Sequence, residues 1–208
     1  MGYQPERLLL LTFTRKSSQA MLQRACLILD QRCQKVSGGT FHSFSAQLLR
    51  EFAALIGYDS QFTILDRSDT EDLIQLLRKS LKLTEKRFPK KNTLIDIFSK
   101  SVNTGQDIRV ICEKYYAHFM YCIDQIELLN QQYHIQKQMM GVMDYDDLLV
   151  QLLRLLKHHP NVKADIQSRF DMIMVDEYQD TNALQSDLIV QLAFEHRNIM
   201  VVGDDAQS

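Results

Sequence analysis

The chain has no tryptophan, and only three prolines and seven glycines among its 208 residues. With so few helix breakers, long helices are expected to dominate. No apolar run approaches the ~18–20 residues that span a bilayer. The run Leu8 to Leu11 is too short and unflanked for a secretory signal, so a cytoplasmic protein is expected. Basic and acidic side chains nearly cancel, 24 against 26, for a net charge of −2. That balance excludes a molecule-wide basic field, and any contact with nucleic acid must be local. The four cysteines, Cys26, Cys33, Cys112 and Cys122, form no C-x-x-C pair. Cys26 and Cys33 are spaced to share one helix face, and reduced, buried thiols are expected in place of a disulfide or a metal site.

What is present is ordinary for a globular protein, with 45% hydrophobic and 24% charged residues. The length suits one ample core or two small ones. Arg7 to Phe13 reads as a buried strand, followed by a helix from about Lys16 to Arg32. Gly38-Gly39 then gives a turn before a brief strand at Thr40-Phe41, and a second helix runs from about Ser43 to Ile56. Phe62 to Leu65 is a small extended piece. From residue 66 to 165 the pattern is helical almost throughout, with breaks near Pro89, Asn103-Thr104-Gly105, Gly141 and His159-Pro160. The remainder alternates again: a strand at Asp171 to Val175, a helix at Thr181 to Phe194, a strand at Asn198 to Val202. This order predicts an α/β fold whose parallel sheet, built from 1–65 and 166–208, is interrupted by an all-helical insertion over 66–165.

The strand Asp171 to Val175 ends in Asp176 and Glu177. Paired acids at the carboxyl end of a buried parallel strand sit where open α/β sheets bind ligands. Asp176 suits Mg²⁺, a hard cation that prefers carboxylate oxygen and keeps several waters. Glu177 suits the orientation or deprotonation of a water attacking a γ-phosphate. Gln179 can sense phosphate without adding charge, and Asp180-Thr181-Asn182 caps the next helix. Acids at a strand end are by themselves an ordinary polar loop. A second apolar strand, however, ends in Gly203-Asp204-Asp205-Ala206-Gln207, and two such ends at one edge point to a phosphate and metal site.

The strings VDEYQDTN and VVGDDAQS closely resemble motifs II and III of the UvrD/Rep family of superfamily 1 DNA helicases. LLLTFTRKSSQAMLQR resembles motif Ia and GGTFHSFSAQLLR motif Ib, in the family's order and over essentially the whole chain. FTILD and MDYDDLL also sit where the family has similar strings. The resemblance implies a partial RecA-like P-loop NTPase fold, and a role in an ATP-driven translocase, usually 3′→5′ on single strands, in DNA repair, replication or recombination. A bacterial-type cytosol or nucleoid location goes with it. It implies Asp176, Glu177 and Gln207 as catalytic residues, with Gln179, Asp204 and Gln207 toward the nucleotide. Two departures are mild: Ala206 replaces a common acid, and Tyr178 replaces the commoner Phe.

On the DNA side, the resemblance maps Thr12, Phe13, Thr14 and Arg15 onto motif Ia, and Thr40, His42 and Ser43 onto motif Ib. An exposed Phe13 can stack on a base, and hydroxyls or a histidine suit phosphate oxygens. Without the resemblance, Phe13 and Phe41 read as core, Ser43 as a helix cap and His42 as a satisfied polar group. Arg78, Lys79, Lys82, Lys86, Arg87, Lys90 and Lys91, opposed only by Glu85, form a cluster able to contact duplex phosphates ahead of a fork, although a charge run is usually a solvated face. Met143-Asp144-Tyr145-Asp146-Asp147 superficially suggests a nuclease metal site. The apolar helix that follows makes these acids its cap and first turn instead.

A helicase of this kind needs a G-x-x-x-x-G-K-[ST] loop, and no glycine in the chain is followed by Lys-Ser or Lys-Thr. The resemblance places that loop upstream of Met1, and the second motor domain beyond Ser208, so a piece of a longer motor is expected. By itself the chain is expected neither to hydrolyse ATP nor to hold ATP and Mg²⁺ tightly. Two rivals are a non-catalytic DNA-binding or partner-docking module on the same scaffold, and a Mg²⁺-dependent nuclease using the acidic clusters.

Overall fold

The computed structural model describes residues 4–204. The chain divides into two compact units, one from 1–56 with 149–208 and the other from 57–148. The expected insertion of 66–165 runs further along the chain than the second unit. Among the described residues no helix is long and apolar enough to cross a membrane.

In the first unit, β1 (Leu8–Thr12) leads into α1 (Arg15–Ile28), and β2 (Ser37–Thr40) into α2 (Phe41–Glu51). Helix α7 (Tyr145–His158) begins in the last residues of the second unit, and α8 (Pro160–Ser168), β5 (Met172–Val175), α9 (Ala183–Ala193) and β6 (Ile199–Val201) follow in the first. The strands form one sheet in the order β2-β1-β5-β6, and all three pairings are parallel. An α/β sheet fits the run of apolar residues in β1, where Leu9 and Leu11 are fully buried. Strands covered on both faces read as continuous hydrophobic stretches. Phe44 on α2 meets Phe170 edge-on, ring centroids 6.0 Å apart. Beneath β1, Arg7 Nε donates to Asp171 Oδ2 over 2.6 Å, fixing the start of β5 beside the start of β1.

One helix ends earlier than expected. α1 stops at Ile28 because Asp30 opens a new turn: its carboxylate accepts the Arg32 N–H at 2.8 Å and caps a short 3-10 helix, Gln31–Lys35. A capping carboxylate inside an apparent helical run outweighs the periodicity around it. Cys33 therefore lies on a separate element from Cys26. Both are partly exposed, contrary to the expectation of burial, whereas Cys112 and Cys122 are buried; all four are free thiols.

The second unit contains β3 (Thr63–Ile64), α3 (Arg67–Ser80), α4 (Lys91–Thr104), α5 (Ile108–Tyr115), α6 (Ile123–Met140) and β4 (Val142–Met143). β3 and β4 make a parallel pair. The helices bury Leu73, Ile74 and Leu77 of α3 with Leu94, Ile97 and Phe98 of α4, Ile111 of α5, and Ile126 and Leu129 of α6. Each set follows helical spacing, so one face per helix supplies the core. Asp66 and Asp69 cap α3 reciprocally.

Candidate nucleotide and nucleic-acid site

Because the four strands of the first unit are parallel, their carboxyl ends share one edge. In register, Leu11 lies beside Val175 and Val175 beside Val201, while Thr12 lies beside Thr40. The segments Phe13–Arg15, Phe41–Ser43, Asp176–Gln179 and Val202–Asp204 all leave the sheet there.

The Asp176 N–H still donates to Leu11 O at 3.0 Å, continuing the ladder. The chain then breaks from the strand at Glu177, which takes a left-handed conformation (φ 53°, ψ 45°). Such a conformation costs a non-glycine residue about 1–3 kcal/mol and concentrates at functional positions. It turns Glu177 away from the line of β5, so Asp176 and Glu177 do not point alike. The Tyr178 N–H then donates to Val202 O at 3.0 Å.

Gln179 completes the link. Its Nε2 donates to Glu177 Oε2 at 2.6 Å, and its Oε1 accepts the Asp204 N–H at 3.1 Å. Gly203 makes this possible: a Cβ there would stand 2.6 Å from Gln179 Oε1. Sequence reasoning gave Gln179 a phosphate-sensing role and missed its place between the two strand ends. The signal was the neutral amide two residues past a carboxylate. Asn182 then caps α9, with Gln185 reciprocating. Gln207, placed at this site from the sequence, lies outside the described residues; Asp204 is inside them and exposed.

On the neighbouring pair of strands the candidates separate. Thr12 is fully buried, and its hydroxyl donates to Thr14 O at 2.8 Å. This corrects its reading as a nucleic-acid contact: β2 and β5 flank β1 on both sides, and the side chain braces the loop from within. Phe13 is 51% exposed, not core. Thr14 is exposed and caps α1, accepting the Ser17 N–H at 3.1 Å; Arg15 beside it is exposed. Thr40 and Ser43 form a capping box for α2, Thr40 accepting the Ser43 N–H at 3.2 Å and Ser43 Oγ accepting the Thr40 N–H at 3.0 Å. Their hydroxyls are thereby partly committed. His42 between them is half-buried, while Phe41 is buried.

The basic cluster of the second unit also divides. Lys79, Lys82, Lys86, Arg87 and Lys90 are exposed. Arg78 instead lies over the Phe88 ring at 5.5 Å, and burial lowers its pKa. Lys91 pairs with Glu71 at 3.0 Å.

The acidic string at the start of α7 is committed elsewhere. Lys137, 2% exposed, sets its ammonium 2.6 Å from both Asp144 Oδ2 and Asp147 Oδ2. The Tyr133 hydroxyl donates to Asp144 Oδ2 at 2.7 Å, and Asp144 and Asp147 accept each other's backbone N–H. Asp146 accepts from Asn103 Nδ2 at 3.1 Å. These carboxylates are spent on a buried lysine and a helix start, which removes the geometry that a nuclease reading needs. Among the described residues no group of three or more metal-ligating side chains is assembled.

Comparison with known proteins finds relatives along the whole chain. The chain is 30% identical over 206 residues to the ATP-dependent DNA helicase PcrA of Staphylococcus epidermidis, covering 98% of this chain and 27% of the relative. The protein of the same name from Staphylococcus aureus matches with the same identity and coverage. The chain thus spans about a quarter of the length of the curated relatives it matches, 27%. The family model described as the UvrD/REP helicase N-terminal domain matches residues 1–208. The chain belongs to the UvrD/REP helicase family, as part of its N-terminal domain.

Proposed function

We propose that this chain is the metal- and water-handling part of an ATP-dependent DNA helicase or translocase, tracking 3′→5′ along single strands in repair, replication or recombination. The observation that carries this reading is the common sheet edge. It gathers Asp176, Glu177 and Gln179 at one pair of strand ends and Phe13, Arg15 and His42 at the other. Nucleotide chemistry and strand contact then share one rigid sheet, which is what coupling turnover to movement requires.

In this reading Asp176 would hold Mg²⁺. A single carboxylate with room for water and phosphate oxygens fits that ion's usual donor set, and the ion would supply charge to offset the phosphates. Glu177 orients the attacking water, Gln179 fixes the Glu177 carboxylate, and Asp204 and Gln207 are assigned to the nucleotide. Phe13 stacks on a base, while Thr14, Arg15 and His42 meet the backbone beside it. The 208 residues contain no G-x-x-x-x-G-K-[ST] loop, so ATP turnover is proposed for the longer protein. The isolated chain is inactive, because carboxylates without phosphate-cradling amides and a lysine cannot assemble the transition state.

The exposed Lys79, Lys82, Lys86, Arg87 and Lys90 are proposed to contact duplex phosphates ahead of a fork. Neutralising them in the longer protein lowers the slope of log K against log salt for duplex binding by roughly 0.9 per lost contact; an unchanged slope removes the idea.

The test of the main reading is Glu177→Gln in the longer protein. DNA-stimulated ATP hydrolysis falls by at least about a hundredfold while single-strand affinity is retained. Wild-type turnover by that variant, or Mg²⁺-dependent ATP turnover by the 208 residues alone, would overturn it.

A further inference from the structure

Helix α7 ends in basic side chains that no acid answers. Arg154 and His158 stand four residues apart, so they share one face of the helix's last turns, and His159 follows at the break before α8. Arg154 and His158 are exposed and His159 is half-buried. All three line one depression of about 180 Å³. Its remaining walls are apolar: Leu55 and Ile56 beyond the end of α2, and Leu155, which is fully buried. Acids on α2, α8 and α9 are engaged elsewhere. Asp187 of α9 faces Lys157 at 3.8 Å, and Glu51 of α2 and Asp165 of α8 both pair with Arg169. Among the described residues none forms an ion pair with Arg154, His158 or His159.

We infer that Arg154, His158 and His159 form a binding site for a phosphate group. The guanidinium fork matches two phosphate oxygens at once, and each imidazole keeps at least one N–H to donate in either charge state. Two adjacent histidines would otherwise suit a metal ion, but the fixed guanidinium charge beside them repels a cation. Size narrows the ligand further. A volume of about 180 Å³ lies below the roughly 300 Å³ at which pockets for drug-sized molecules begin, so a single phosphate is accommodated and a whole nucleotide is not. The apolar walls lower the local dielectric and strengthen the bonds made there. The phosphate is either a free ion or one group of a nucleic-acid strand whose remainder stays in solvent.

The site is separate from the proposed catalytic edge. Helix α2 starts at the carboxyl end of β2, and Leu55 and Ile56 lie past its far end. Arg169, which pairs with Glu51 near that far end, lies three residues before β5 begins. The depression is therefore toward the amino ends of the strands, and the inference does not rest on the proposed function.

The experiment is titration of the purified chain, labelled with ¹⁵N in its histidines, with inorganic phosphate at constant pH and ionic strength, followed by imidazole NMR. Saturable shifts are expected at His158 and His159, half-complete near or below about 1 mM, without matching shifts at His42, His118, His134 or His196. Arg154→Gln is expected to weaken binding at least about tenfold, whereas Arg24→Gln, which removes an exposed arginine outside the depression, leaves it unchanged. Should Arg154→Gln misfold, His158→Gln removes one donor and reports the loss through His159. Oligothymidine with and without a 5′-phosphate then identifies the source. Displacement of the ion by both strands marks a phosphodiester backbone, displacement by the phosphorylated strand alone marks a strand end, and displacement by neither marks the free ion. Shifts that grow linearly with phosphate, that appear equally at all six histidines, or that survive Arg154→Gln unchanged would each overturn the site.

Discussion

Gln179 donates its amide to Glu177 Oε2 over 2.6 Å, and that bond ties the set of the Glu177 carboxylate to the end of the adjacent strand. The other end of the same amide holds the Asp204 N–H. A shift at β6 is therefore felt at Glu177 through one side chain. In the longer protein, Gln179→Ala is expected to lower kcat for ATP by roughly ten- to a hundredfold with KM little changed, since the substitution loosens the group proposed to act in the transition state. Gly203→Ala gives an independent test. Its methyl would stand 2.6 Å from Gln179 Oε1 and displace the amide, so it is expected to reproduce the same kcat loss. Steady-state kinetics of the two variants and their double mutant check this; additive losses would show that they do not act through one bond.

Gly38 is the position where the fold tolerates least. A Cβ there would fall 2.0 Å from Leu10 O, and its φ is +139°. The contact is with backbone in the middle of the β1–β2 ladder, where nothing can rotate away. Gly38→Ala is expected to cost more than roughly 3 kcal/mol or to prevent folding. Urea denaturation followed by circular dichroism measures it. A loss under roughly 1 kcal/mol would mean that β2 does not pair with β1 in this register.

How much of this the sequence foretold depends on how local each cause is. β5 was legible because an apolar run ending in Asp176 and Glu177 names both a buried strand and its polar end. The capping of α3 was legible because Asp66 and Asp69 act within one turn. The end of α1 was not, since Asp30 interrupts a run whose periodicity continues on either side. Burial of Thr12 depends on β1 having a parallel neighbour on each side, which no short-range pattern encodes. The buried Lys137 meets Asp144 and Asp147 across the chain reversal at Gly141, and a lysine on a mixed helix face looks solvated until that reversal is built.

Phe13 and Thr12 are adjacent, and their environments predict opposite behaviour. Phe13 is 51% exposed and Thr12 fully buried. Phe13→Ala is expected to weaken single-strand binding by about 1–3 kcal/mol while changing stability by no more than about 0.5 kcal/mol. Thr12→Val keeps the shape but deletes the hydroxyl that donates to Thr14 O. It is expected to cost about 1 kcal/mol of stability with little direct effect on DNA. Anisotropy of a labelled oligothymidine and urea melts of each variant separate the two; equal DNA losses would erase the distinction.

The buried trio of Lys137, Asp144 and Asp147 makes stability depend on pH in a specific direction. Burial, and next the adjacent Asp144, push Asp147 from 3.8 up to about 6, against the pull of Lys137. Asp144 moves the other way: burial pushes it up, but the charge and hydrogen bond of Lys137 and the Tyr133 hydroxyl hold it below its ordinary value. For Asp147 the folded state binds the proton more tightly than the unfolded chain. Its contribution is therefore fully present below 3.8 and is lost as pH rises through about 6. For Asp144 the contribution is present above its ordinary value of 3.8 and is lost only in stronger acid, as pH falls through the lowered folded value. Urea unfolding across that interval is expected to show the wild type losing up to roughly 3 kcal/mol relative to Asp147→Asn as pH rises. Lys137→Met leaves two carboxylates facing each other without a cation. It is expected to cost about 3–5 kcal/mol near neutral pH, and less as pH falls and one carboxyl takes up a proton. Parallel stability curves for wild type and Asp147→Asn would show that Lys137 neutralises both acids in the fold and that neither holds a proton there.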